Sequence, residues 1–217
     1  DPYAGLAPEE LLLKGPPLAL DLDDPAEPSP AALREMAQAA EDAARVVPGV
    51  TNSEGGSASS GRAIFALATS HGFAGAYATS SHGMSASVVA GEGSSMQRDY
   101  AWRTARHGAD LPTPQEIGKL AGERAVKRLN PGTLKSGAMP VVFDPRVGGT
   151  LIGHLVSAMS GTSIARRASF LLDRQDDALF DSAVVIADDP HRPRGLRSRP
   201  FDGEGLATTP RKIAEGG

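Results

Sequence analysis

The sequence predicts an α+β fold: an antiparallel β-meander with packed helices, followed by the start of a second, mixed α/β domain. Three observations carry this. Two segments open with a hydroxyl cap followed directly by proline, Ser29-Pro30 and Thr113-Pro114, and each continues with apolar residues at helical spacing. Between them lie runs of small and apolar residues broken by a repeated Ser-His-Gly tripeptide, at Ser70-His71-Gly72 and Ser81-His82-Gly83. Helix and strand signals mix without regular βαβ alternation.

Residues 1–30 are rich in Pro and Asp and contain one short apolar group, Leu11, Leu12 and Leu13, so they read as an extended or surface-packed connection. Ser29 then caps a helix in which Leu33, Met36, Ala37, Ala40, Ala44 and Val47 share a face, and Pro48-Gly49 ends it. Three strands are expected over 61–70, 73–80 and 84–90, with the two Ser-His-Gly tripeptides as hairpin turns, because glycine takes positive φ without penalty. That reading leaves His71 and His82 as exposed turn residues rather than ligands. A further strand is expected over 96–106. Thr113-Pro114-Gln115-Glu116 has the form of a capping box, and Ile117, Leu120, Ala121, Arg124, Ala125 and Leu129 continue the helix until Asn130-Pro131-Gly132. A composition change over 131–140 marks a domain boundary, dividing 1–135 from 136–217. Beyond it, Met139–Phe143 reads as a buried strand, 147–160 as a helix with Leu151, Leu155 and Ala158 on one side, and Ala183–Ala187 as a short strand.

Composition excludes several functions. Hydrophobic residues make up 40% and charged ones 22%, an ordinary globular balance that argues against wholesale disorder. No apolar run approaches the roughly 18–20 residues that cross a bilayer, and the opening Asp1-Pro2-Tyr3-Ala4 has no leader pattern. The expectation is a soluble protein without a membrane partner. Cysteine is absent, which removes disulfides, thiolate nucleophiles and cysteine metal sites and fits a cytoplasmic location. The net charge of −4 is uneven, with −7 over 1–48 and +3 beyond. The one dense basic run, His191 to Arg199, is interleaved with Pro and Gly and has only Phe201 nearby to stack on a base. Direct nucleic-acid binding is therefore not expected.

The usual catalytic patterns are missing. There is no phosphate-binding loop with lysine, no His-Glu-x-x-His pair and no Gly-x-Ser-x-Gly elbow. Gly55-Gly56-Ser57-Ala58-Ser59-Ser60-Gly61 reads as a flexible turn. Between Arg146 and Arg166 there is no Asp or Glu and only one histidine, His154. A zinc hydrolase needs about three N or O ligands, an open position and usually a carboxylate base, so this helix does not supply one. A lone histidine on such a Gly- and Leu-rich helix reads as a packed residue. Asp202 and Glu204, in Phe201-Asp202-Gly203-Glu204-Gly205, are the best paired carboxylates, either in substrate contact or as exposed acids of a turn.

Four segments in order resemble the TldD/PmbA family: SSMQRDYAWRTAR (94–106), IGKLAGERAVKRL (117–129), GHLVSAMSGTSIARRASFLLD (153–173) and DDPHRPRGLRSRPFDGEG (188–205). The opening DPYAGLA is also similar. Family members are about twice this length, so the chain resembles an internal fragment: the latter part of an N-terminal α+β domain and the truncated beginning of a β-rich C-terminal one. In the TldD branch the helix over 150–160 carries His-Glu-x-x-x-His, which binds a catalytic metal. Carried over, that motif falls on Ile152, Gly153 and Ser157, and His154 matches neither ligand position. The resemblance thus implies a non-catalytic, metal-lacking PmbA/TldE-type subunit with no cofactor of its own and zinc in a TldD-type partner. It implies a shared chamber acting on unfolded peptides, to which His154, Ser160, Asp202 and Glu204 are candidate contacts. Two alternatives stay open: a regulatory protein-binding factor of gyrase-modulator type, and a self-contained peptidase with its site further along the polypeptide.

Overall fold

The computed structural model describes residues 5–174 and 177–216. It has two compact units. The first is drawn from the chain up to Gly132 together with Asp188–Arg211, the second from Thr133–Ala187 and the residues from Lys212 onward.

The first unit is a three-stranded antiparallel sheet with two helices on one face, so the α+β class and the meander are as the sequence predicts. Strands β1 (Val50–Ala68), β2 (Ala74–Ala90) and β3 (Gln97–Ala105) pair in the order β1-β2-β3. Helix α1 (Pro30–Arg45) begins where Ser29 accepts the Ala32 amide, with proline in its first turn. Helix α2 (Pro114–Lys127) begins with a complete capping box: Thr113 accepts the Glu116 amide while Glu116 accepts the Thr113 amide. The core joins Ala40 and Ala44 of α1 to Ile117, Ala121 and Ala125 of α2 and to Met84, Ala86, Val88, Ala90 and Ala101 of the sheet. Alternation along β2 places those residues inward and Ser85 and Ser87 outward. Alanines dominate because the helices lie close to the sheet: a Cβ at Gly56 would meet the Ala37 carbonyl oxygen at 2.0 Å.

Two expectations for the sheet need correction. The first tripeptide is a turn, with Gly72 at φ 106°. The second is not. Strand β2 runs straight through Ser81-His82-Gly83, His82 pairs with Ser60 and Ala105, and Gly83 does not take positive φ. His82 is accordingly buried, 4% exposed, rather than displayed on a turn. The glycine-rich stretch 55–61 is likewise part of β1, and Gly55 (φ 110°) sits at a register shift, so its glycine serves a bulge. Its small side chains are what let α1 approach.

A smaller cluster closes the hairpin end of the sheet. Phe201 meets Phe73 and Tyr77 edge to face, with centroids 5.0 and 5.2 Å apart, and Leu12 bridges to Leu206. The aspartate-rich connection is thereby docked, with Leu20 and Leu22 buried.

In the second unit, α3 (Pro145–Met159) follows an Asp144 cap and α4 (Gly161–Ala165) a Ser160 cap. Strand β4 (Val185–Asp188) pairs with β5 (Arg211–Glu215). Leu155 and Ala158 pack with Leu171. The expected buried strand over Met139–Phe143 is not formed. No described strand pairs with it, Pro140 lacks a donor, and Val142 is 96% exposed.

Candidate functional sites

Helix α3 carries the positions singled out by the metal motif. Ile152, Gly153 and Ser157 are all exposed, and so is His154, which makes no described hydrogen bond. Exposure of His154 corrects the packed reading: its neighbour Leu155 faces the small core and turns 154 outward. A Cβ at Gly153 would meet nothing within 4 Å. Ser157 and Ser160 are brought together through backbone: the Ser160 hydroxyl donates to the Ser157 carbonyl at 3.0 Å, and the Ser163 hydroxyl donates to the same oxygen at 2.8 Å. Isoleucine and glycine offer no donor to zinc, so these residues do not fit a metal, and among the described residues no three His, Asp or Glu gather closely enough to hold one.

Asp202 and Glu204 belong to the first unit. They do not form a carboxylate pair. Asp202 Oδ1 accepts the amides of Glu204 (2.9 Å) and Leu206 (3.0 Å) and so closes the turn, while Glu204 is exposed.

The basic run is tied into the same unit. Arg194 donates to Asp21 at 2.6 Å and to both oxygens of Asp110 at 3.1 Å. Arg194 holds the Asp21 carboxyl below its ordinary value, with His107 adding to the effect. Its guanidinium is thus engaged by carboxylates within the fold.

A polar node that the sequence did not disclose lies where the connection crosses β2. Asp24 is 8% exposed. Its Oδ1 accepts the Ala26 amide at 2.9 Å and its Oδ2 the Gly108 amide at 2.7 Å. These two donors hold the carboxyl below its ordinary value. The Asp24 amide donates to the Ser80 hydroxyl at 2.7 Å, and that hydroxyl donates to the Arg106 carbonyl. Beside the carboxylate, His82 Nε2 lies 3.3 Å from Asp24 Oδ2 but out of hydrogen-bonding alignment. Asp24 was hidden in an unpatterned acidic stretch, and His82 in what read as a turn. The available signal was period-2 alternation over His82, Met84, Ala86, Val88 and Ala90, which makes 82 an inward position.

Comparison with known proteins places this architecture. Residues 23–129 match the model of the PmbA/TldA metallopeptidase central domain, and residues 136–217 that of the PmbA/TldA metallopeptidase C-terminal domain. The metalloprotease PmbA of Escherichia coli O157:H7 is 40% identical over 218 residues, and the Haemophilus influenzae PmbA homolog is 34% identical; each alignment covers 100% of this chain and 48% of the relative. The chain thus spans about half the length of the curated relatives it matches. Among solved structures, a protein from Bacteroides thetaiotaomicron described as a modulator of DNA gyrase superposes with TM-score 0.92 at 28% identity, over 100% of this chain and 50% of that one. TldE from Thermococcus kodakarensis shares the fold, with TM-score 0.65 at 21% identity over 96% of this chain and 49% of that one. With both domain models matched along nearly its whole length, the chain belongs to the TldD/PmbA metallopeptidase family.

Proposed function

We propose that the protein acts as the non-catalytic, PmbA/TldE-type subunit of a heteromeric metallopeptidase that processes or degrades unfolded peptides in the cytoplasm. A TldD-type subunit supplies the zinc. One observation supports the reading: α3, onto which the family resemblance carries the active branch's His-Glu-x-x-x-His motif, presents Ile152, Gly153 and Ser157 at those places. The helix is retained as a wall without chemistry. The exposed apolar residues along it, Leu151, Ile152, Val156 and Met159, are between 43% and 48% exposed and suit contact with further protein. The test is metal analysis and peptide cleavage with the full-length polypeptide, alone and with a TldD-type subunit. The expected result is no stoichiometric zinc and no cleavage alone, with chelator-sensitive cleavage in the mixture. About one zinc per chain, or chelator-sensitive cleavage without the partner, would overturn the assignment.

A further inference from the structure

The connection, α1 and the loop after β3 enclose a groove of about 460 Å3 within the first unit. Its walls are Pro28, Leu33, Met36 and Leu111, with His82 and Asp24 reaching it from below and Glu27 and His107 also lining it.

Three features make this a built site rather than a crevice. His82 is 4% exposed, and its Nε2 is fully buried without a hydrogen bond although Asp24 Oδ2 is 3.3 Å away. Such an orphaned buried nitrogen is costly, and native folds rarely leave one without a purpose. A ligand that donates a proton to Nδ1 fixes the Nε2–H tautomer, which sets the Nε2–H dipole beside the Asp24 carboxylate at 3.3 Å, close enough to attract though not aligned as a hydrogen bond. The lining is also one-sided in charge. Asp24 is held ionised by the Ala26 and Gly108 amides, Glu27 makes no described hydrogen bond or ion pair, and no Lys or Arg lines the groove. The nearby Arg62 is held by Asp23 through two hydrogen bonds of 2.8 and 2.6 Å and acts on Glu27 only through space. Finally, the space beside Nδ1 is kept open by Gly108, where a Cβ would stand 3.7 Å from Nδ1 and 3.8 Å from Asp24 Oδ2.

We propose that this groove binds a primary ammonium with an apolar body, as at the free amino end of a peptide beginning with an apolar residue. The ammonium donates to His82 Nδ1 and offsets one of the two negative charges that Asp24 and Glu27 bring to the groove. The apolar body lies against Leu33, Met36 and Leu111. This goes beyond the subunit role and needs neither metal nor partner.

Calorimetric titration of the 217-residue chain with Leu-Gly-Gly tests it, alongside N-acetyl-Leu-Gly-Gly and isopentylamine. The expected result is saturable binding of Leu-Gly-Gly at millimolar concentration or below, and at least tenfold weaker binding of the acetylated form. Gly108→Ala should weaken binding at least tenfold, since its methyl takes the space beside Nδ1 through contacts of ordinary length. Glu27→Gln, at an exposed position, should weaken it severalfold without touching the fold. Nitrogen NMR of the His82 ring should show the Nε2–H tautomer on saturation. Isopentylamine binding as tightly as the tripeptide points to free amines, and weaker binding points to peptide ends; both keep the site. Equal binding of the acetylated peptide, undiminished binding by a folded Gly108→Ala chain together with Glu27→Gln, or no saturation would overturn the proposal. None of these readouts involves cleavage, so their failure is distinct from failure of the subunit role.

Discussion

Gly118 of α2 lies directly against the carbonyl of Ala40 in α1: a Cβ at 118 would stand 2.1 Å from that oxygen and 2.8 Å from the Ala44 amide nitrogen. Two turns of separate helices thus touch backbone to backbone. Gly122, one turn on, is closed by the Val47 side chain at 2.6 Å and the Ala44 carbonyl oxygen at 3.0 Å, and Gly56 of β1 by the Ala37 carbonyl. Helices usually pack with axes 8–10 Å apart, set by the side chains between them. Here glycine and alanine set the lower end, and the all-alanine core positions at 40, 44, 121 and 125 follow from it.

Gly118→Ala is therefore expected to cost about 1–3 kcal/mol, because the methyl cannot be accommodated without parting the helices. Gly132→Ala, where a Cβ meets nothing within 4 Å, is the control. Thermal melts of the two variants check this. An unchanged melting temperature for Gly118→Ala would mean the helices separate without loss, contrary to a close-packed seam.

The capping box gives a second, local expectation. Thr113→Ala removes the acceptor for the Glu116 amide and the hydroxyl that donates to the Glu116 carboxylate at 2.9 Å, leaving that carboxylate only the backbone amide of residue 113, now at 2.8 Å. Loss of an N-cap typically costs about 1 kcal/mol. Denaturant titration should show the midpoint lowered at unchanged slope, as for a loss of stability without a change in compactness. Ser29→Ala, which removes a cap without the reciprocal glutamate, should cost less.

Acid should loosen the docked connection. Asp24 has a folded-state pKa below its ordinary value because the Ala26 and Gly108 amides favour the carboxylate. A depressed carboxyl contributes stability above its unfolded pKa and loses it as pH falls through the folded value. Asp21, lowered first by its bond to Arg194, acts in the same direction. The melting temperature should hold from neutral pH down to the ordinary carboxylate range and fall below it. Asp24→Asn should start lower at neutral pH and decline less steeply in acid. Parallel acid limbs for the two proteins would show that Asp24 is not one of the groups responsible.

Both helix starts of the first unit were legible because a cap is a local event: Ser29, Thr113, Pro30, Pro114 and Glu116 settle it among themselves. The strands were legible as a region but not in register. A Ser-His-Gly tripeptide is compatible with a turn or a strand, and only the pairing of His82 with Ser60 and Ala105, set by distant chain, decides between them. Met139–Phe143 failed for a related reason, since apolar composition shows that a segment suits burial but not that a paired strand lies beside it. At the candidate sites, that Ile152, Gly153 and Ser157 lack the side chains of the metal motif is a matter of residue identity and is read directly. The Asp24–His82 contact joins positions 58 residues apart, and no local pattern encodes it.

The last prediction concerns α3, where fold and function separate cleanly. Gly153 is exposed and a Cβ there meets nothing within 4 Å, so Gly153→Leu places its side chain outside the unit's own core. The melting temperature of the chain should barely change, because surface substitutions away from special features usually stay within about 0.5 kcal/mol. If α3 forms a wall against a TldD-type subunit, the same leucine should weaken assembly, since overpacking a close contact costs about 1–3 kcal/mol, or roughly five- to 150-fold in affinity. Ser157→Ala adds no bulk and leaves the Ser157 carbonyl that accepts from Ser160 and Ser163, so assembly and partner-dependent cleavage should survive it. Pull-down with the partner, cleavage assays and melts of both variants separate the outcomes. Full assembly by Gly153→Leu would remove α3 from the interface. Loss of cleavage by Ser157→Ala with assembly intact would show that the helix carries chemistry, and the non-catalytic role would fall.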